Sequence, residues 1–198
     1  MRRRIVIGTR GSKLAIIQAE SVLKKLRLIA PDRRFSLMKI ATTGDKESNT
    51  PLDRLAGEGV FVKELEGALA DGKIDMAVHS LKDLPIEIPQ GLALGAATER
   101  LESRDTFISS KGKLAELPPG SIVGTGSHRR AIQVLAYRPD LKVQDLRGNI
   151  ETRLRKLSEN RYDGIIVAAA ALIRLGLEKK ITEYLPAEHF TPEVGQGA

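Results

Sequence analysis

The chain has 198 residues, of which 41% are apolar, and this is enough to form one large or two small domains with buried cores. It contains no cysteine, which excludes disulfides, thiolate nucleophiles and cysteine-ligated metals within it, and no apolar run is long enough to span a membrane. The net charge of +7 indicates attraction to anions, whether nucleic acid, a membrane surface or small acidic molecules.

Strands and helices alternate in the first half of the chain, a pattern typical of α/β folds. The apolar run behind the basic N-terminus is too short for a signal peptide, which favours a cytoplasmic protein, and it predicts a buried strand over residues 4–8. Thr9 or Ser12 then caps a helix whose apolar face consists of Ala15, Ala19, Val22, Leu26 and Ile29. The other elements predicted here are strands over 35–41, 75–80 and 92–98, a helix over 60–70 and a long loop over 42–59.

A charged stretch without apolar periodicity, residues 99–105, is interpreted as a domain boundary. The alternation then restarts, with strands predicted over 122–124, 142–146 and 164–169 and helices over 127–137, 149–160 and 170–175. The string I-V-G-T-G-S in this half is similar to I-V-I-G-T-R-G-S near the start. We therefore expect two similar α/β lobes whose strand ends face one cleft.

Basic side chains concentrate at the turns that follow predicted strands. They are Arg10, Lys82, Arg129, Arg130, Arg147 and Arg153. Because helix N-termini attract anions and guanidinium groups pair with carboxylate or phosphate, the cleft is predicted to bind a ligand with many such groups. Arg129 and Arg130 are adjacent on a helix and are expected to point in different directions, so that they do not bind one group. The alternative is a solvated helix face, which is the expectation for Arg155 and Lys156.

One acid, Asp83, directly follows Lys82 at such a turn, after a strand whose Ala77 and Val78 are expected to be buried. A neighbouring cation favours the ionised form, and a carboxylate in a basic cleft can stabilise a positive centre or transfer a proton. The alternative is a helix-capping aspartate paired with Lys82. No metal site is predicted, because the histidines are scattered without metal-ligand spacing.

Several longer strings occur in order along the whole chain. They are T-R-G-S-K-L-A-I-I-Q-A, G-E-G-V-F-V-K-E-L-E, D-M-A-V-H-S-L-K-D-L-P, G-S-I-V-G-T-G-S-H-R-R, L-R-G-N-I-E-T-R-L, A-L-I-R-L-G-L and V-G-Q-G-A. Together they resemble the porphobilinogen deaminase family, also called hydroxymethylbilane synthase. The patterns V-H-S-x-K-D-x-P and R-G-N-x-x-T-R are highly specific for it.

The resemblance implies a fold and a reaction. Two α/β lobes like those of type II periplasmic binding proteins, over residues 1–99 and 100–193, would enclose the active cleft, and the chain after about residue 193 would cross back towards the first lobe. A cytoplasmic monomer of the family deaminates four porphobilinogen molecules and joins them into a linear tetrapyrrole for haem biosynthesis. The product grows on a dipyrromethane cofactor, which is held by a thioether to a cysteine of a third, α+β domain.

Residue roles follow from the same resemblance. Asp83 would be the catalytic acid that holds the pyrrole N–H groups and stabilises a cationic azafulvene. Positions resembling cofactor contacts are Ser80, Lys82, Asp83, Thr125, Ser127, Arg129, Arg130, Arg147, Gly148, Arg153, Ala168 and Gln196. Positions resembling substrate contacts are Arg10, Ser12, Gln18, Arg174 and the aromatic lid residue Phe61.

The sequence departs from the family pattern in three places. Glu58 stands where the family usually has lysine, and Gly126 replaces a serine of the G-T-S-S turn. The chain also stops at Ala198 without any cysteine, so we expect that it lacks the cofactor-bearing domain, through a truncation or a split gene, and cannot polymerise porphobilinogen alone. In the case of a split gene, a separate chain would supply that domain.

Two other functions compete with the enzyme. A non-catalytic, two-lobed module that binds carboxylate anions would retain the cleft without turnover. A nucleic-acid binder would account for the net charge, but the chain is only 4% aromatic and its arginines cluster at strand ends.

Overall fold

The computed structural model describes residues 4–46 and 61–198. They form two compact units, of which the first contains residues 4–46, 61–99 and Ala198, and the second contains residues 100–197. In these described ranges, none of the helices combines the length and the apolar character that a membrane crossing requires.

The first unit is built on a small parallel sheet. Its elements are β1 (Ile5–Arg10), α1 (Lys13–Ile29), β2 (Phe35–Ile40), α2 (Thr43–Lys46), α3 (Lys63–Ala70), β3 (Met76–Ala77) and a 3₁₀ turn (Leu81–Asp83). The strand order is β2-β1-β3, with β1 parallel to both neighbours. Parallel strands end at the same edge of a sheet, so the turns after β1 and β3 follow neighbouring strand ends.

Helix α1 begins where the sequence predicts. The Ser12 side chain accepts a hydrogen bond from the Ala15 backbone N–H at 3.3 Å, so Ser12 is the N-cap rather than Thr9. The buried residues of the helix are Ala15, Ala19 and Leu23. The predicted apolar face is therefore wrong at its far end, where Ile29 is 79% exposed, because the last turn extends beyond the sheet contacts that bury the first turns.

The core of the first unit lies between the sheet and α3. Ile7, Leu65 and Ile74 are almost fully buried there. A side-chain carbon on Gly8 would lie 2.4 Å from the Ile74 Cδ1 atom, so β1 needs glycine at this point for the loop after α3 to pack against it.

The strand predicted over residues 92–98 is wrong. These residues have no regular secondary structure, and Leu94 is exposed. A segment with strand-forming composition becomes a strand only when its backbone can hydrogen-bond to a neighbouring strand. Among the described residues, the sheet of this unit consists of β2, β1 and β3, and none of these strands pairs with residues 92–98.

The second unit contains a mixed sheet. Its elements are β4 (Asp105–Ile108), a 3₁₀ turn (Leu114–Glu116), β5 (Ile122–Gly124), α4 (His128–Tyr137), β6 (Lys142–Gln144), α5 (Ile150–Ser158), β7 (Gly164–Ala168), α6 (Ala169–Arg174), a 3₁₀ turn (Glu178–Lys180) and β8 (Glu183–Tyr184). The strand order is β6-β5-β7-β4-β8. Strands β5, β6 and β7 are parallel, whereas β4 runs antiparallel to β7 and to β8.

Helix caps and apolar runs explain where most helices and strands of this unit form. Ser127 and Asn149 cap α4 and α5, and β7 is buried along its whole length, as expected for a central strand. Strand β4 was not predicted, because it begins inside the charged stretch that reads as a linker. Phe107 of β4 is fully buried and belongs to the same apolar cluster as Val134 and Phe190.

Candidate ligand-binding site

In the first unit, the predicted acid lies on the 3₁₀ turn that follows β3. The Asp83 backbone N–H donates to the Ser80 carbonyl at 3.0 Å, which closes the turn, and the Asp83 side chain is 28% exposed. The carboxylate is thus held by backbone geometry while part of it stays accessible to a ligand. The preceding residues Ala77 and Val78 are half-buried rather than buried, so the expected burial is wrong.

Side chains around this turn form a hydrogen-bonded group. Gln18 of α1 donates to the Ser80 hydroxyl at 3.0 Å. The ring nitrogens of His79 lie 3.2 Å from the Ser80 and Phe61 carbonyl oxygens, and its Nδ1 atom lies 3.9 Å from Asp83 Oδ2. His79 was not predicted as a site residue, although its position in V-H-S-L-K-D-L-P is the signal that would have found it. Lys82 lies on the same turn.

Arg10, at the end of β1, contacts Phe61. Its guanidinium carbon lies 4.2 Å from the centre of the Phe61 ring, a cation–π geometry. A side-chain carbon on Gly44 would lie 2.1 Å from the same ring, so the absence of a side chain there lets Phe61 pack against α2. The structure thus brings two residues of the predicted substrate set into contact. Glu58, the charge reversal noted in the sequence, lies outside the described residues.

In the second unit, the G-T-G-S turn between β5 and α4 is the core of the candidate site. Thr125 is buried, and its hydroxyl accepts a hydrogen bond from the Ser127 N–H at 3.2 Å. A side-chain carbon on Gly126 would lie 2.9 Å from the Leu146 carbonyl oxygen and 3.4 Å from the Arg147 Cδ atom. Glycine at this position therefore allows the segment after β6 to lie directly against the turn.

Arg147 lies in that neighbouring segment and is 6% exposed. Its Nε–H, like that of Arg130, is buried without a hydrogen-bond partner, and no acidic side chain pairs with Arg147 in the described ranges. A buried guanidinium without an anion is unfavourable, because burial removes the water that would otherwise solvate it. This geometry is consistent with a site that obtains its anion from a ligand.

The R-G-N-x-x-T-R segment continues from Arg147 into α5. Gly148 has a φ angle of +111°, and Asn149 caps the helix by accepting from the Thr152 N–H at 2.8 Å. Arg153 donates to the Gly148 carbonyl at 2.8 Å, and Lys156 donates to the Arg147 carbonyl at 3.1 Å. The expectation of a solvated Lys156 is therefore wrong, because the residue holds the backbone of this turn, whereas Arg155 is exposed as expected.

Arg129 and Arg130 bind the same group, so the expectation that they would not is wrong. Arg129 Nη2 donates to Asp105 Oδ2 at 2.8 Å, and Arg130 Nη2 donates to Asp105 Oδ1 at 2.6 Å. Long side chains let adjacent helical residues converge on one buried carboxylate. Asp105 was missed because it lies in the stretch interpreted as a linker, and its sequence signal is weak: one acid before a short segment, T-F-I, that contains two apolar residues.

The remaining predicted residues lie near this ion pair or at the end of the unit. Ala168 is the strand partner of Asp105, and Gln196 donates to Asp105 Oδ1 at 2.8 Å. Arg174 donates to the Gly197 carbonyl at 2.9 Å, and burial lowers the pKa of its guanidinium from the ordinary value. A partly buried arginine of this kind can bind a further acceptor, since a guanidinium has five N–H groups.

Comparison with known families and curated proteins gives a consistent result. A family described as "Porphobilinogen deaminase, dipyromethane cofactor binding domain" matches residues 5–198. A porphobilinogen deaminase of Brevibacillus brevis is 51% identical over 193 residues, which are 97% of this chain and 62% of that protein. A porphobilinogen deaminase of Halalkalibacterium halodurans is 52% identical over 198 residues, 99% of this chain and 64% of that protein. The chain thus spans less than two thirds of the length of these relatives.

A solved structure supports the fold. A Bacillus subtilis lipoprotein, described by its name as methionine-binding, superposes with a TM-score of 0.55 at 14% identity, covering 93% of this chain and 78% of the other. At this identity the likeness concerns the fold alone. The predicted fold class, α/β lobes like those of periplasmic binding proteins, is confirmed.

Proposed function

The chain belongs to the porphobilinogen deaminase family, a family of transferases, and we propose that it binds the carboxylates of porphobilinogen and of pyrroles built from it. We further propose that it supplies the acid and the anion contacts for deaminating porphobilinogen and joining four of these molecules into a linear tetrapyrrole. The activity of the whole enzyme is part of the proposal, because the relatives are longer than this chain.

The observation that carries the proposal is Arg147. Its buried guanidinium lies beside the turn that holds Thr125 and Ser127, and it has no anionic partner among residues 4–46 and 61–198. Porphobilinogen carries an acetate and a propionate, and a carboxylate is the group that a planar guanidinium binds best. Backbone N–H groups and hydroxyls at the start of α4 would add to this anion site.

Asp83 is proposed as the acid of the reaction. Its partly exposed carboxylate, fixed on a short turn, can accept hydrogen bonds from pyrrole N–H groups and stabilise the positive charge that develops as ammonia leaves. Ser80 and Gln18 are hydrogen-bonded to each other beside it, and we propose that they orient substrate. Arg10, Ser12, Phe61 and Arg174 are proposed as further substrate contacts.

The residues of this chain fit a dipyrromethane cofactor in one respect and not in another. The buried Arg147 Nε–H fits a carboxylate of the cofactor, and Lys82, Arg129, Arg130, Gly148, Arg153, Ala168 and Gln196 are proposed as its other contacts. When bound, this group supplies the end on which the pyrrole chain grows. No thiol exists among the 198 residues to form a thioether, so we propose that this polypeptide alone binds pyrroles without sustaining polymerisation.

A second function, a two-lobed anion-binding module without turnover, is favoured by the same lack of a thiol and by the fold likeness. A cytoplasmic location, a monomeric state and a partner chain that bears the cysteine stay predictions. Among the described residues, no His, Asp or Glu cluster offers a metal site.

Measurement of ammonia release from porphobilinogen separates the two functions. We expect the purified chain to bind porphobilinogen without sustained ammonia release, and intact-mass spectrometry to show no covalent dipyrromethane. In a full-length relative, replacing the aspartate equivalent to Asp83 with asparagine should abolish most ammonia release, while the variant still folds. A covalent adduct on this chain, or near-normal turnover of that variant, would contradict the proposal.

A further inference from the structure

His79 is a nearly buried residue of the first unit to which the proposed reaction gives no role. It lies between β3 and the 3₁₀ turn that contains Asp83, and its side chain is 6% exposed. Its Nε2 atom lies 3.2 Å from the Phe61 carbonyl oxygen, and its Nδ1 atom lies 3.2 Å from the Ser80 carbonyl oxygen. Because carbonyl oxygens only accept hydrogen bonds, the ring bonds to either of them only as an N–H donor.

The Ser80 carbonyl connects His79 to the turn of Asp83. The same oxygen accepts the Asp83 backbone N–H at 3.0 Å, the hydrogen bond that closes the turn. The His79 Nδ1 atom lies 3.9 Å from Asp83 Oδ2, which is beyond hydrogen-bond distance. The histidine is also less exposed than Asp83, whose side chain is 28% exposed. These observations favour a role in positioning over direct contact with a substrate.

The Phe61 ring is held by two other segments of the unit. The guanidinium carbon of Arg10, at the end of β1, lies 4.2 Å from the centre of the ring. A side-chain carbon on Gly44 of α2 would lie 2.1 Å from the ring, so the ring packs directly on the backbone there. Thr43 joins α2 to α3, since its backbone N–H and hydroxyl donate to Glu64 Oε1 at 2.7 and 2.6 Å. With the imidazole facing its carbonyl, Phe61 is thus contacted from β1, from α2 and from the segment after β3.

We propose that His79 is a positioning residue whose Nε2–H donates to the Phe61 carbonyl and so fixes the aromatic ring, with its Arg10 partner, relative to the Asp83 carboxylate. The hydrogen bond is independent of the proposed function, whereas its effect on ligand binding rests on it. All of these residues belong to the first unit. Without the bond, the backbone before α3 can shift, and a misplacement of about 1 Å is enough to impair a site substantially.

Two amide variants separate the two hydrogen bonds of the ring. The side-chain amide nitrogen of glutamine reaches the position of Nε2, whereas that of asparagine reaches only the position of Nδ1. His79→Gln can therefore keep the bond to the Phe61 carbonyl, and His79→Asn can keep only the bond to the Ser80 carbonyl. His189→Ala is the matched control, because this exposed histidine contacts the Tyr137 ring in the second unit.

Carbon NMR tests the hydrogen bond directly. The chain has four phenylalanines, so labelling their carbonyl carbons gives few signals, and Phe61→Leu identifies the signal of Phe61. Because a hydrogen bond moves a carbonyl carbon downfield, we expect this signal to move upfield in His79→Asn. It should stay near its wild-type position in His79→Gln and in His189→Ala. The same position in the asparagine and glutamine variants would overturn the proposal.

Nitrogen NMR of the wild type keeps the test decisive if His79→Asn does not fold. The chain has three histidines, and His128→Ala and His189→Ala, at exposed positions, identify the ring signals of the other two. We expect the remaining ring, that of His79, to bear a proton on Nε2 that exchanges slowly with water. An Nε2 atom without a proton would overturn the proposal.

Calorimetric titration with porphobilinogen, beside thermal unfolding of each variant, tests the effect on the site. We expect the affinity of His79→Gln to stay within about threefold of the wild type, and that of His79→Asn to fall by at least about tenfold. Equal affinities, or affinities that follow thermal stability instead of the Phe61 signal, would overturn the positioning role. If the wild type itself does not bind porphobilinogen, the proposed function fails, whereas the NMR result still decides whether His79 holds Phe61.

Discussion

Arg130 and Arg147 are both more than nine-tenths buried, yet within the part of the chain that the structure describes only Arg130 has an acidic partner. Sequence patterns located both arginines at turns before helices. They could not show which one is paired, because the partner of Arg130 lies 25 residues earlier on a strand that pairs across the sheet. Long-range charge pairing is set by topology, and this is why Asp105 was missed while the motif residues were found.

Asp105→Asn should reduce stability in a pH-dependent way. The folded-state pKa of Asp105 lies below its ordinary value of 3.8, so the stability contributed by its charge is present above that pH and is lost as the pH falls through the folded-state value. At pH 7 we expect a loss on the order of 3 kcal/mol, typical of breaking a buried ion pair, and a smaller loss near pH 3. Urea unfolding at both pH values measures it.

Asp140→Asn is the control for this pH profile. Its carboxylate is held by Arg138 at the surface, and solvent screens such pairs, so a much smaller loss of stability is expected. A pH-independent loss in Asp105→Asn would contradict the ionic role of Asp105.

Gly148→Ala should destabilise the segment that positions Arg147. The φ angle of +111° is unfavourable for alanine, and the added carbon would lie 2.6 Å from Thr152 Cγ2. Strain of this kind costs about 1–3 kcal/mol. Gly176→Ala is a matched control, since Gly176 has a φ angle of +68° but no atom within 4 Å of the added carbon. Thermal unfolding should show a larger loss for Gly148→Ala, and equal losses would rule out the steric contribution.

Helices and strands were predicted best where a cap or a fully apolar run defines them. Helices begin directly after Ser12, Ser127 and Asn149, and residues 122–124 form a strand, as predicted. Failures occurred where an element depends on a distant partner. The segment 92–98 has strand-forming residues without a partner strand, whereas β4 forms despite charged neighbours because β7 and β8 both pair with it.

The two caps of the second unit should differ in strength. Asn149 accepts from the Thr152 N–H at 2.8 Å, whereas Ser127 accepts from the Arg130 N–H at 3.5 Å, a long and therefore weak hydrogen bond. Asn149→Ala should cost about 1 kcal/mol and Ser127→Ala less. Urea unfolding of both variants checks this order, and the reverse order would contradict the geometry of the caps.

At the scale of the whole molecule, the net charge of +7 is distributed in a way that composition alone does not reveal. Some arginines form ion pairs with acids of the same chain, as Arg104 does with Glu102 and Arg138 with Asp140. The number of basic residues therefore overstates the number of cations available to a ligand. The family likeness and the fold were both predicted from the sequence, because the motifs are specific and occur in order along the whole chain.

Calorimetric titration of porphobilinogen into the wild type and Arg147→Leu tests the central claim most directly. Arg155→Leu is the matched control, because Arg155 lies on the exposed face of α5 and pairs with Glu159. The account predicts binding by the wild type and the control, and a loss of at least about tenfold in Arg147→Leu, although the apolar side chain leaves it folded. Unchanged affinity in a folded Arg147→Leu would contradict the account.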